Sequence, residues 1–224
     1  MNIQKTRYEG IYEAWLGKKR ILLTKNLTPG KTFFNENLHH QDGEEYREFE
    51  ANRSKIAAAI VKRISIMPLK QGDTVLYLGA AHGYTASFVS DIVGKNGAVY
   101  CLDFAPRAVR DLYFTCEARD NMAPLLADAS KPETYKDRIE KADAIVQDIA
   151  QKLQVEILFK NLPHLKPRGY IILSVKARSI DVTKRPETLF KEVEERLKHK
   201  LRIIDSKNLS PLEKDHMLFV CQAK

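Results

Sequence analysis

With 224 residues, 44% of them hydrophobic, the chain has apolar content for one large domain or a medium domain with a small appendage. Its 37 basic and 29 acidic residues leave a net charge of +8, which favours a polyanionic partner without identifying one. No apolar run approaches the roughly 18 residues of a membrane span, and the opening MNIQKTRYEGIYEAW has no signal-peptide core, so a soluble, cytoplasmic protein is expected.

Residues 1–50 are predicted to form a β-rich module. RYEGIYEAW and RILLTKNL are strand candidates joined by the turn LGKK, and the turn-rich, aromatic stretch after them predicts further hairpins. A module this small buries little alone and is expected to pack on the rest. His39 and His40 fall in a polar stretch and are expected to be solvated. From residue 51 the pattern changes. RSKIAAAIVKRISI predicts a helix with an apolar stripe through Ile56, Ala59, Ile60 and Ile64.

Strands and helices then alternate. Strands are predicted at 74–79, 97–104, 122–128, 143–149 and 170–177, and helices at 85–93, 106–118, 132–140, 152–161 and 185–199. The last helix turns Leu189, Phe190, Val193 and Leu197 inward. Residues 201–209 and 216–222 are strands with no long helix between them. Near-continuous apolar strands alternating with helices imply a parallel sheet covered on both faces. The expected fold over 51–224 is therefore a Rossmann-like α/β domain: a seven-stranded, mainly parallel sheet closed by an antiparallel hairpin. Cys101, Cys116 and Cys221 are odd in number and far apart, so neither a disulfide framework nor a metal site is expected. Cys101 and Cys221 lie in apolar runs and read as buried thiols.

The stretch VLYLGAAHGYTASFVSDIVG begins as a buried strand and ends as an amphipathic helix, with Gly79 to Gly83 between them. Small residues there let a ligand approach the backbone, and the helix start presents free N–H groups. Asp103 ends the next strand, where an acid accepts hydrogen bonds from both ribose hydroxyls of a nucleoside. Asp128 ends the strand after that and is placed to meet an adenine amino group. Two cofactors compete. A dinucleotide prefers GxGxxG, whereas S-adenosylmethionine carries no phosphate and tolerates the looser GAAHGYT. The loop and the terminal hairpin favour S-adenosylmethionine; an NAD-dependent oxidoreductase stays as the alternative.

TKNLTPG, NRSKIAAAI, LYLGAAHGYTASFVSDIVGKNGAVY, DIAQ, SVKARSID and EKDH, in chain order, resemble fibrillarin, the ribose 2′-O-methyltransferase of box C/D guide-RNA particles. The absence of a Gly/Arg-rich stretch before them makes the chain look like the archaeal form. The resemblance implies an S-adenosylmethionine-dependent methyltransferase fold acting on rRNA and tRNA. It implies a cofactor region at Gly79, Ala81, Gly83, Tyr84, Thr85, Asp103, Phe104, Asp128, Ala129, Asp148 and Gln151. Here His82 and Tyr84 stand where the family usually has Ser and Thr, Asp103 where it commonly has Glu, Gln147 where it often has Ala, and Lys152 where Pro is common. These departures touch the cofactor loop and remove no charge the chemistry needs.

A ribose 2′-hydroxyl is a poor nucleophile until its proton leaves, so the enzyme must hold oxygen and methyl in line and accept that proton. The Lys-Asp-Lys group of related ribose methyltransferases, with a fourth polar residue, falls by resemblance on Lys55, Asp148, Lys176 and His216, the last beside Asp215. Lys176 ends a very apolar strand, and a partly desolvated lysine near a second cation gives up its proton more readily. Lys55 is expected to be that cation, and Asp148 to orient Lys176 or meet the methionine amine. Arg178, beside Lys176, and Arg53 are the candidates for gripping RNA phosphate. No ordered set of stacking aromatics reads RNA sequence here. By resemblance, target choice comes from a guide RNA, with a Nop-domain scaffold protein and a kink-turn-binding protein as partners. A non-enzymatic reading, a methyltransferase-like subunit that only binds RNA or scaffold, remains beside the enzymatic one.

Overall fold

The computed structural model describes all of residues 1–224. Its first part is an antiparallel sheet of β1 (Gln4–Lys5), β2 (Ile11–Leu16), β3 (Lys19–Lys25), β4 (Leu38–Gln41) and β5 (Glu44–Glu48), in the order β1-β2-β3-β5-β4. The β4–β5 hairpin closes on Asp42 and Gly43, at φ of 53° and 78°. Two successive left-handed residues match the strand twist, and Asp-Gly adopts them at low cost. His39 and His40 are therefore strand residues facing Glu48 and Glu45 rather than loop residues; His40 is solvated as expected, at 69% exposure, whereas His39 is only 15% exposed.

Helix α1 (Lys55–Val61) is shorter than its apolar spacing predicts. Ser54 caps it, accepting the Ala57 N–H, and Arg63 ends the turn at φ 59°. Ile56 through Ile60 are all buried, because α1 shares one apolar layer with Ile11 and Leu22 of the first sheet and with Val146 and Ile172 of the second.

The second sheet uses β6 (Thr74–Leu78), β7 (Ala98–Asp103), β8 (Met122–Leu126), β9 (Ala142–Asp148), β10 (Leu165–Lys176), β11 (Leu201–Asn208) and β12 (His216–Ala223). The order is β11-β12-β10-β9-β6-β7-β8, parallel from β10 to β8, with β12 antiparallel to both β10 and β11. This is the expected seven-stranded sheet with its terminal hairpin. Helices α2 (Tyr84–Val93), α3 (Pro106–Glu117), α4 (Gln154–Asn161), α5 (Ala177–Ile180) and α6 (Pro186–Lys198) complete it. Alternation along β10 sends Ile172 to the α1 side and Ile171, Leu173 and Val175 to the other, where Leu189, Phe190, Val193 and Leu197 of α6 cover them. No helix is long and apolar enough to cross a membrane.

One expected element is absent. Residues 132–140 form two single 3₁₀ turns, Pro132–Thr134 and Lys136–Arg138, rather than a helix. Tyr135 between them is fully buried, and its hydroxyl bonds Asn161 of α4. Holding that side chain inward sets its φ at −134°, outside the helical range.

The two sheets are joined by buried ions. Arg47 of β5, with no exposure, contacts Glu36 at 2.7 Å and Asp91 of α2 at 2.9 Å, and Asp91 also meets Arg119 at 2.7 Å. Thr24 of β3 donates to the same Asp91 carboxylate at 2.8 Å. Paired and hydrogen-bonded charges of this kind fix register, because separating either partner leaves a bare buried ion.

Candidate active site

The strand order reverses at β6: β7 and β8 lie on one side, β9 and β10 on the other. Loops after β6 and β9 therefore diverge and leave a crevice at the carboxyl ends of the strands, the general ligand position of such sheets. A cavity of about 270 Å³ opens there, lined by Gly79, Leu102, Asp103, Phe104, Asp128, Ala129 and the Asp148–Gln151 segment.

Each wall has a local cause. Gly79 lies at φ 84°, and a Cβ on it would stand 2.4 Å from the Asp148 carbonyl oxygen, so the β6 and β9 loops can touch only through a glycine. Gly83, at φ 93°, precedes the first turn of α2. The buried Asp103 carboxylate accepts the N–H of Ala81 at 2.9 Å through one oxygen and that of Ala105 at 2.9 Å through the other. Each oxygen keeps a lone pair, so the group fixes the loop and can still receive two hydroxyls. Asp128 accepts the Ser130 N–H at 2.8 Å, a bond that holds its carboxyl below the usual carboxylate range. Phe104, 64% exposed, offers a flat apolar face at the rim. The set fits an adenosyl group: paired acceptors for a diol, a carboxylate for an amine, and an aromatic face for a base.

Gly79, Asp103, Phe104, Asp128, Ala129, Asp148 and Gln151 thus line the cavity together. Ala81 and Gly83 shape its loop through the backbone, and Thr85 faces a neighbouring cleft with Lys55 and Asp148. Tyr84 departs from expectation. Its ring lies between Phe34 and Phe88, at 5.3 and 5.1 Å, under the Arg53 guanidinium at 4.1 Å. These contacts, with the Glu50 N–H donating to its hydroxyl at 3.4 Å, make it a packing residue that ties α2 to the first part of the chain, and burial pushes its hydroxyl up to about 12. His82 turns to Asp111 of α3 at 3.2 Å, outside the cavity wall.

Beside the cavity, Lys55 Nζ meets Asp148 Oδ2 at 3.0 Å, both side chains 26% exposed. Burial works against the Lys55 charge, but the Asp148 carboxylate outweighs it and holds the ammonium above its ordinary 10.5. Lys55 is therefore a fixed cation at neutral pH, and Asp148 pairs with it rather than with Lys176. Lys176 stands opposite His216 in the β10–β12 ladder, on the α1 side of the sheet by alternation from Ile172 and Ser174. It is exposed, not partly desolvated as expected, because it is the last residue of β10. His216 is 8% exposed, and its Nδ1–H donates to the Lys214 carbonyl at 2.7 Å, which leaves Nε2 as the free ring nitrogen.

The two arginines are already engaged. Arg53 donates to the Phe34 carbonyl at 3.1 Å and pairs with Glu50 at 3.3 Å. Arg178 pairs with Asp215 at 3.1 Å through Nε and donates to the Val182 carbonyl at 2.9 Å through NH1, leaving NH2 unused. Sequence reasoning missed Ser174 and Gln154, and noticed Gln147 only as a departure from the Ala that the family often has there. The Ser174 hydroxyl is buried without a partner in the cleft it shares with Lys55 and Asp148. Gln147 and Gln154 are fully buried amides near the carboxyl ends of β9 and β10. An amide within an apolar strand was the signal that Gln147 is structural; Gln154 reads as an ordinary helix start.

The family profile described as Fibrillarin matches residues 3–224. A fibrillarin-like rRNA/tRNA 2′-O-methyltransferase of Thermococcus sibiricus is 46% identical over 223 residues, covering 98% of both chains. The Aeropyrum pernix fibrillarin, crystallised with natively bound S-adenosyl-L-methionine, superposes with a TM-score of 0.91 at 39% identity, over 99% of this chain and 98% of that one. Fibrillarin from a fibrillarin/Nop5p complex gives 0.86 at 36% identity, over 98% and 100%. With one profile spanning nearly every residue and full-length relatives of this similarity, the chain belongs to the fibrillarin family.

Proposed function

We propose that this chain methylates ribose 2′-hydroxyls of rRNA and tRNA, using S-adenosylmethionine, inside a guide-RNA particle. The observation that carries the reading is the junction of two features at one sheet edge. The cavity built for an adenosyl group runs into Asp148, and Asp148 anchors the Lys55 cation on the side of the sheet where Lys176 and His216 emerge. The relatives' named activity and the cofactor of the Aeropyrum protein support it.

Asp103 would hold the ribose diol of the cofactor, Asp128 its adenine amine, Phe104 its base, and the Gly79 loop and Gln151 its remaining edge. The cofactor supplies a methyl carbon already activated on a sulfonium. The chain's own work is to place the acceptor oxygen and receive its proton. Lys176 is the proton acceptor in this reading, taking the 2′-hydroxyl proton on its neutral amine, and it is exposed on the free chain so that RNA can reach it. The Lys55–Asp148 pair is a positioning unit: Lys55, fully protonated, cannot serve as base. His216 offers Nε2 to the same rim. Arg178, with NH2 unused, is the phosphate contact; Arg53, stacked on Tyr84, is the weaker candidate.

The fibrillarin/Nop5p complex of a relative supports a Nop-domain scaffold as partner; guide RNA and a kink-turn-binding protein are proposed beside it from the family resemblance alone. A cytoplasmic setting agrees with three buried, unpaired cysteines. Residues 1–50 are proposed as a module that supports the 51–224 methyltransferase unit. The test is methyl transfer from labelled cofactor to guide-matched RNA, with and without scaffold proteins, followed by digestion to nucleosides. Label on a ribose 2′-oxygen is expected. Label on a base or on protein would overturn the proposal, and binding of NAD in place of S-adenosylmethionine would restore the oxidoreductase alternative.

A further inference from the structure

The β9–β10 ladder ends at Asp148 opposite Ser174, two residues before Lys176. Beyond Asp148 the chain turns off to line the cavity with Ile149, Ala150 and Gln151. Alternate residues of a strand aim their N–H and C=O at opposite neighbours. Lys176 therefore directs both backbone groups to the side β9 has vacated. They are satisfied all the same. Gln154, the first residue of α4 and fully buried, accepts the Lys176 N–H through Oε1 at 3.2 Å and donates to the Lys176 carbonyl through Nε2 at 3.2 Å. A carboxamide carries the same donor and acceptor as a peptide unit, so this side chain adds a rung where the backbone of β9 has gone.

Behind it, the fully buried Gln147 donates from Nε2 to the Gln154 carbonyl at 2.8 Å and fixes the start of α4. On the other edge, Lys176 faces His216 of β12, and the Ala177 N–H reaches the Asp215 carbonyl at 3.0 Å. The backbone of Lys176 is thus clamped from both sides, although its side chain is exposed. An apolar residue at position 154 would pack α4 without burying an amide, yet both of its side-chain bonds go to one residue.

We propose that Gln154 is a positioning residue for methyl transfer: its carboxamide replaces the missing β9 peptide and sets the direction in which Lys176 leaves the sheet. This rests on the reading of Lys176 as proton acceptor.

The test is a double-mutant cycle of Gln154→Met and Lys176→Ala, read by single-turnover methyl transfer, cofactor Kd and amide hydrogen exchange of Lys176. Gln154→Met should slow transfer about 10- to 100-fold, leave the cofactor Kd within about twofold, and speed exchange at the Lys176 N–H. Added to Lys176→Ala, it should cost less than about twofold more, since a group acting through Lys176 has nothing left to orient. Gln154→Glu, which keeps the volume and the acceptor, should retain part of the rate, and it takes the place of Gln154→Met if that variant does not fold. A wild-type rate in Gln154→Met, or an equal loss with and without Lys176, would overturn the clamp while leaving the Lys176 reading intact. Near-normal transfer by Lys176→Ala alone would overturn the reading beneath it.

Discussion

At the scale of single residues, the site depends on a few positions with no substitute. Gly79 is the sharpest, since any Cβ there meets the Asp148 carbonyl at 2.4 Å and the φ of 84° is strained for other residues. Gly79→Ala should weaken cofactor binding at least tenfold and lower stability by about 1–3 kcal/mol. Calorimetric titration and thermal melting check this, and an unchanged Kd would show that the loop does not form the cofactor wall.

Lys55 gives a test in pH. Its folded pKa is raised by Asp148, so the pair's contribution is fully present below the ordinary 10.5 and is lost as pH rises through the folded value. The stability gap between wild type and Lys55→Met, about 1–3 kcal/mol for a partly exposed pair, should be flat from pH 7 to 9 and should close only above 10.5. A gap that closes near pH 7 would mean that Lys55 titrates and is free to act as a base.

Much of the site could be read at this scale. Gly79, Asp103 and Asp128 announced themselves as small or acidic residues at the ends of apolar strands. Tyr84 did not, because sequence order places it in the cofactor loop while its ring leaves with Phe34 and Phe88. Nor did Gln154, whose role depends on β9 ending early.

Among elements, the first sheet and α2 are coupled through the Glu36–Arg47–Asp91–Arg119 ions, all without exposed side-chain surface. Removing one partner strands the others, so Arg47→Met should cost about 3–5 kcal/mol in chemical denaturation. Burial raises the Glu36 carboxyl, but the Arg47 guanidinium wins and holds it below its ordinary 4.5. A depressed carboxyl contributes stability above 4.5 and loses it as pH falls through the folded value. Wild type should therefore lose this increment in acid, and Arg47→Met should not show it. Equal stability of the two proteins at pH 7 would contradict the coupling.

Periodicity found the strands of the large sheet and the inward face of α6, because burial on both faces or on one stripe marks a sequence directly. It failed at 132–140, where one buried tyrosine sets the local backbone. It also overran α1, whose end is fixed by Arg63 at positive φ rather than by any loss of apolar spacing. The ion cluster was invisible, since Glu36, Arg47, Asp91 and Arg119 look like surface residues until the two sheets meet.

For the molecule as a whole, the net charge of +8 attracts RNA without choosing a sequence. The free chain should bind RNA with a Kd of about 10⁻⁴–10⁻⁶ M at physiological salt, weakening steeply as salt rises. Tight, sequence-selective binding that persists at high salt would refute delegation of target choice to a guide. The fold class and the adenosyl crevice were visible from strand order and loop spacing, and family likeness supplied the chemistry. Which charged groups pair across the rim was not, because Asp148 joins Lys55 only once α1 is laid against β9.

The most direct check on the central claim is the single-turnover rate of methyl transfer by Lys176→Met, with guide RNA and scaffold proteins present and cofactor binding verified. The account predicts a fall of at least about 100-fold at saturating cofactor, in line with loss of a positioned proton acceptor, and a cofactor Kd within about twofold of wild type. A rate within a few-fold of wild type, in a folded and cofactor-loaded protein, would contradict it.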